Sequence, residues 1–148
     1  MNRISSALAA ILLVVLGLWF HRRGGGAGRP ESVVSAWYDA AARGDEAACL
    51  ALTDGPLRSS LRSTLDQQGR EAFRAGLRAS AAGLRGISTR RLGEETDAVA
   101  LEVELVYEDR NERQTARLVR RAGRWRLAEL GGAEAVRPPV RYGTPVYE

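Results

Sequence analysis

The spacing of the apolar residues changes once along this chain, at Gly86, and that change constrains the fold more than any other feature. Before it the period is helical. Val33, Ala36, Trp37, Ala40 and Ala41 fall at i, i+3, i+4, i+7 and i+8 on one face, with Pro30 suited to the first turn. Gly44 stops that helix, and Asp45 can cap a second one carrying Ala48, Cys49, Leu50 and Leu52. Gly55-Pro56 is a break, and Leu57, Leu61 and Leu65 predict a short helix after it. Asp66 to Gly69 separates this from another helix with Phe73, Leu77, Ala81 and Leu84 on one face.

After Gly86 the period is two. Ile87 to Leu92 predicts a strand, and Leu101, Val103, Leu105 and Tyr107 alternate with Glu102, Glu104 and Val106 in a second, half-buried one. Glu108 to Glu112 reads as a polar turn, Thr115 to Arg121 as the returning strand, Ala122-Gly123 as a tight turn, and Trp125 to Leu130 as the last strand. A turn at Arg110-Asn111 sets Leu105 against Ala116, Val103 against Leu118 and Glu104 against Arg117. A turn at Ala122-Gly123 sets Leu118 against Leu127 and Arg120 against Trp125. One sheet face collects Leu101, Val103, Leu105, Tyr107, Leu118, Trp125 and Leu127, and it must bury against the helices. The expected class is therefore α+β, helices packed on a curved antiparallel sheet.

Ahead of this domain, Ile4 to Phe20 is almost uninterrupted apolar sequence. As a helix it spans roughly 25 Å, close to a hydrocarbon core of roughly 30 Å. It ends in Trp19-Phe20-His21-Arg22-Arg23, bulky and basic, where a cleaved signal peptide needs small residues. The expectation is a single-pass transmembrane anchor over residues 1–23, a glycine-rich linker over 24–29, the domain over 30–131, and a proline-containing extended tail over 132–148. Arg22, Arg23 and Arg29 after the run would by the positive-inside count hold the domain in the cytoplasm. The short basic start before a long apolar run is how exported, signal-anchored domains begin, and an extracytoplasmic domain is the expectation adopted.

The opening helix with its aromatic pair Trp37-Tyr38, the Gly44-Asp45 step into a second helix, and the closing Arg121-Ala122-Gly123-Arg124-Trp125-Arg126-Leu127 hairpin resemble the nuclear transport factor two-like superfamily, in particular its small bacterial membrane-anchored or exported members. The resemblance covers Pro30 to Leu130 and implies a cystatin-like cone, with a cavity between helices and sheet. It is nearly silent on function, because that superfamily includes isomerases, dehydratases, cyclases and domains with no reaction. Its enzymes place histidine, aspartate or tyrosine in the cone.

Composition removes several chemistries. All 22 basic residues are arginine, so lysine Schiff bases and phosphate-loop lysines are excluded. The single histidine, His21, lies beside the apolar run, and Cys49 is the single cysteine, which leaves no His/Cys metal cluster, no internal disulfide and no serine–histidine pair in the domain. No cofactor is expected. Three of the four excess positive charges, Arg3, Arg22 and Arg23, flank the apolar run, so the remainder is nearly neutral and nucleic acid is not an expected partner. Arg58, Arg62, Arg70, Arg74 and Arg78 form basic stripes, and Gly93 to Glu112 is an acidic block; the two are expected to answer one another within the domain or across a partner.

Trp37, Tyr38, Phe73, Tyr107, Trp125 and Glu129 are the candidate pocket residues, the aromatics as lining for a small apolar ligand or as plain core. Strict alternation puts Glu129 on the face of Trp125 and Leu127. A protein partner could instead use the sheet or the tail, where Val140, Tyr142, Val146 and Tyr147 are apolar anchors. The expected function is a non-enzymatic, membrane-tethered binding module. The competing class is an acid–base isomerase or cyclase using Glu129 with Tyr38 or Tyr107, which would need burial to raise the carboxyl pKa.

Overall fold

The computed structural model describes residues 28–136. The apolar run, residues 24–27 of the glycine-rich linker and the anchors Val140, Tyr142, Val146 and Tyr147 lie outside these residues, and among the described helices none is long and apolar enough to cross a membrane. Helix α1 spans Pro30–Arg43 and buries Val33, Val34, Trp37, Tyr38, Ala40 and Ala41. It ends at Gly44, whose φ of 65° is left-handed. The Gly44 N–H donates to the Ala41 carbonyl (2.8 Å) and the Asp45 N–H to that of Ala40 (2.9 Å), a double closure that satisfies the last carbonyls. Asp45 then caps α2 (Glu46–Ala51) by accepting from the Ala48 N–H at 3.0 Å. Asp54 caps α3 (Gly55–Gln68) through the Gly55 N–H at 2.8 Å. Only Gly69 separates α3 from α4 (Arg70–Ser80), because the polar run Asp66 to Gln68 continues the helix instead of breaking it. Phe73 and Leu77 anchor α4 in the core, whereas the Leu57, Leu61, Leu65 stripe of α3 stays half-buried.

Strands β1 (Leu84–Glu95), β2 (Ala98–Tyr107), β3 (Asn111–Arg121) and β4 (Arg124–Leu130) form an antiparallel sheet in that order, and β5 (Glu134–Val136) pairs with the start of β3. Sheet structure therefore continues past the expected boundary at Gly131. The inner face buries Val99, Leu101, Val103, Leu105 and Tyr107 of β2, Gln114, Ala116 and Leu118 of β3, and Trp125 and Leu127 of β4. Together with α1 and α4 this is one continuous core.

Two expectations about register need correction. In the β2–β3 hairpin Leu101 faces Ala116, Val103 faces Gln114 and Glu104 faces Arg113. The turn is tighter than the polar composition of Glu108 to Glu112 implied: the Tyr107 N–H donates to the Arg110 carbonyl at 2.9 Å, and Asn111 to Gln114 are already strand. The displacement is even, so every residue keeps its face. The second correction concerns Glu129. The β3–β4 hairpin turns as expected at Ala122 (φ 49°) and Gly123 (φ 74°) and sets Leu118 against Leu127, but a bulge follows. Arg117 pairs with Glu129, Ala128 becomes the extra residue and is buried (2% exposed), and Glu129 leaves the face of Trp125 and Leu127 for solvent.

The two edges of the sheet differ. Beside β4 the α2–α3 connection lies alongside as backbone: the Leu127 N–H donates to the Leu52 carbonyl (2.8 Å) and the Asp54 N–H to the Leu127 carbonyl (2.9 Å). Strand β1, longer than the expected Ile87 to Leu92, pairs among the described residues only with β2.

Candidate functional site

Of the six candidate residues the fold brings five into one interior. Trp37 and Tyr38 leave α1 together, their rings 5.1 Å apart and nearly perpendicular. Phe73 comes from α4, Tyr107 from the end of β2 and Trp125 from β4, and all five are buried. Glu129 is not among them. Its carboxylate faces Arg117 at 3.6 Å on the outer side of the sheet. Asp39, the other carboxylate near the aromatic pair, is exposed.

At the end of the interior nearest the β2–β3 turn is a polar cluster that includes a residue the sequence reading missed. The Gln114 amide donates from Nε2 to the Tyr38 hydroxyl, and both side chains are buried. Counting back by twos from Leu118 and Ala116 would have put Gln114 on the inner face. Burial holds the Tyr38 phenol protonated, with its pKa pushed up to about 12 despite the Gln114 hydrogen bond, which acts the other way. Burial also raises Tyr107, with nearby Glu112 adding to it. The Arg110 guanidinium lies 4.2 Å from the Tyr107 ring centre and binds Glu112 at 2.7 Å, so the half-buried acid at this rim is already neutralised. A phenol this weakly acidic, paired with an amide, is poorly matched to moving protons near neutrality.

Cys49 is fully buried, with its thiol 3.9 Å from the Trp37 carbonyl, and burial pushes its pKa up to about 12. Among the described residues the Trp37 indole N–H has no hydrogen-bond partner, although it is buried. Among the described residues no group of three His, Cys, Asp or Glu side chains is placed to hold a metal ion.

The surface carries the charge. Arg70 and Arg74 of the basic stripe converge on buried Glu46 at 2.7 and 3.2 Å. The acidic block is answered mainly by arginines of the sheet itself, with Glu102 between Arg90 (3.0 Å) and Arg113 (3.7 Å), Glu108 on Arg85 (2.9 Å) and Glu94 on Arg91 (2.7 Å). Among the described residues these sheet acids pair not with the helix arginines, as expected, but with arginines of the same or the neighbouring strand, which reach them first. An open hollow of about 380 Å³ lies at the far end of the sheet, lined by Glu95, Asp97, Arg117, Arg120 and Arg121 among others. None of the six candidate residues lines it.

No family model matches the chain, and no curated protein matches it. Among solved structures, a crystal structure of a Campylobacter jejuni protein, provisionally called an NTF2-like transpeptidase, superposes with a TM-score of 0.52 at 15% identity. The superposition covers 69% of this chain and 99% of that one. The fold is NTF2-like. The expected α+β class, helices packed on an antiparallel sheet, is shown, and the five buried candidates belong to the core between those two layers.

Proposed function

We propose that this chain is a non-enzymatic binding module, held by its N-terminal apolar segment as a single-pass membrane anchor with the domain on the extracytoplasmic side, and that it meets its partner on the outside of the cone. The observation that carries this reading is the interior. Trp37, Phe73 and Trp125 are 6%, 4% and 8% exposed and belong to one contiguous core, so the residues best suited to grip an apolar ligand are already taken up in its packing. The acid–base alternative loses its carboxylate, since Glu129 faces solvent away from Tyr38 and Tyr107, and Asp39 next to Tyr38 is exposed as well. A transpeptidase activity, the reaction in the Campylobacter protein's provisional description, would require an activated nucleophile. Cys49 is buried as a protonated thiol, and residues 28–136 contain no histidine to activate a serine.

The test uses the tryptophans. Titrating the full chain in detergent with a fatty acid such as palmitate should leave tryptophan emission unchanged. A saturable blue shift that disappears in Trp37→Phe would establish an internal ligand site and overturn this reading. The tether is tested separately, by alkaline carbonate extraction of membranes and by a reporter fused after Glu148 that works only outside the cytoplasm.

A further inference from the structure

The open edge of the sheet is built differently from the closed one. Beside β4 the Leu52–Asp54 backbone occupies the edge, whereas among the described residues β1 has a partner on one side only. Unpaired strand edges are templates for another strand, and proteins usually cover or shorten them. Strand β1 runs for 12 residues. Bulges interrupt its register between Leu84 and Gly86 and between Arg91 and Gly93, which leaves Gly86 to Arg91 as a regular stretch. Half-buried Ile87 and Thr89 line its inner side, and Leu92, 50% exposed, is the large apolar side chain most open to water among the described residues.

We infer that β1 pairs antiparallel with β1 of a second copy of this chain, joining two sheets into one across a two-fold axis at Thr89. A two-fold axis perpendicular to the sheet keeps inner faces inner, so each residue must meet a partner of its own face and the axis must pass through a residue. Centring on Ser88 opposes Arg85 to Arg91, and centring on Arg90 opposes that arginine to itself. Like charges directly opposite are destabilising. Centring on Thr89 opposes Ile87 to Arg91 and Ser88 to Arg90, so no arginine faces another, and Arg85 of each strand lies towards the Glu94–Glu95 end of the other.

Helix α1 adds a second argument. Glu31, one residue after Pro30, binds Arg91 at 2.6 Å, two residues along the strand from the axis. Among the described residues the second carboxylate oxygen of Glu31 is buried without a hydrogen-bond partner, an acceptor left over beside the edge. In the pair both α1 N-termini emerge close together on the same side of the combined sheet. That suits two chains anchored in one bilayer, a point that rests on the anchor proposed above; the strand pairing itself does not.

The experiment is disulfide trapping in the full chain, solubilised in detergent so that it does not depend on membrane insertion. Directly opposed residues in an antiparallel pair have Cα atoms roughly 4.5–5.5 Å apart, within the range a disulfide spans. Thr89→Cys should therefore give a covalent dimer on oxidation. Ser88→Cys and Arg90→Cys should each cross-link at least several-fold more slowly alone, yet efficiently with each other when mixed. Native Cys49, fully buried, supplies no background, and exposed Ser59→Cys on α3 reports random collision. Sedimentation equilibrium of the unmodified chain should give the mass of two chains, a reading no substitution can compromise. A monomer at tens of micromolar, or equal trapping at residues 59 and 89, would overturn the inference. Failure of carbonate extraction with dimers intact would remove the anchor and leave the pairing standing.

Discussion

Gly44 is the position where a single methyl group should do the most damage. Its φ of 65° lies in the left-handed region, and a β-carbon there would run into Arg78 Nη1 and approach the Arg74 carbonyl oxygen to 3.3 Å. The Gly44→Ala substitution imposes two costs. Left-handed backbone costs a residue bearing a β-carbon about 1–2 kcal/mol. The guanidinium can swing aside, but the Arg74 carbonyl is helix backbone, so α4 must shift by a few tenths of an ångström from the α1–α2 corner. The gain from a stiffer unfolded chain, about 0.4–1 kcal/mol, offsets only part. With about 1 kcal/mol for that forced shift, the net loss is about 1–2.5 kcal/mol, or a fall in Tm of about 4–10 °C for a domain of this size. The assay is thermal unfolding of the full chain in detergent followed by circular dichroism. Gly44→Asn should lose about half as much, because asparagine tolerates the left-handed conformation. A Gly44→Ala shift below about 2 °C would refute the argument. So would recovery of most of the loss by adding Arg78→Ala, since the flexible side chain would then have been the whole cause.

Tyr38→Phe leaves the buried Gln114 amide without its partner and should cost about 1–2 kcal/mol by chemical denaturation. In the unmodified chain the Tyr38 contribution is complete below the ordinary tyrosine pKa of about 10 and is lost as pH rises towards about 12, and an absorbance titration should show one late phenol that the variant lacks. Asp54 is held below the usual carboxylate range, first by the Gly55 N–H and then by Arg121, so its contribution is present above about pH 4 and fades as pH falls through its lowered value. Asp54→Ala should cost about 1 kcal/mol at pH 7 through loss of the cap, with the gap to the unmodified chain narrowing as pH falls below about 4; a gap that widens on acidification contradicts the assignment.

What the sequence makes legible here is whatever follows from periodicity and capping. The Gly44-Asp45 step, the inner face of β2 and the Ala122-Gly123 turn all repeat local rules, and local rules are readable without coordinates. The candidate site was legible to the extent that it is core: the five aromatics fall on buried faces, and burial is what periodicity reports. Three features were not legible, for related reasons. The β2–β3 register depends on how tightly Glu108 to Arg110 turns, and a polar run does not disclose its own turn length. Glu129 depends on a bulge that adds one residue opposite Arg117, and alternation cannot signal its own interruption. The closure of the β4 edge depends on backbone atoms of Leu52 to Asp54, and backbone atoms carry no sequence pattern at all.

That closure bears on how the domain comes apart. The residues that seal β4 belong to the connection between α2 and α3, some 75 positions earlier in the chain than Arg126, whose guanidinium also holds the Ala51 carbonyl. Peeling the helices from the sheet would strip hydrogen bonds from an outer strand at the moment its apolar face became wet. Neither layer can therefore melt at leisure while the other waits, and a fragment carrying the strands alone would be born with two sticky flanks instead of one. Loss of structure should come in one step, with protection from amide exchange at Leu127 tracking the global stability of the whole domain.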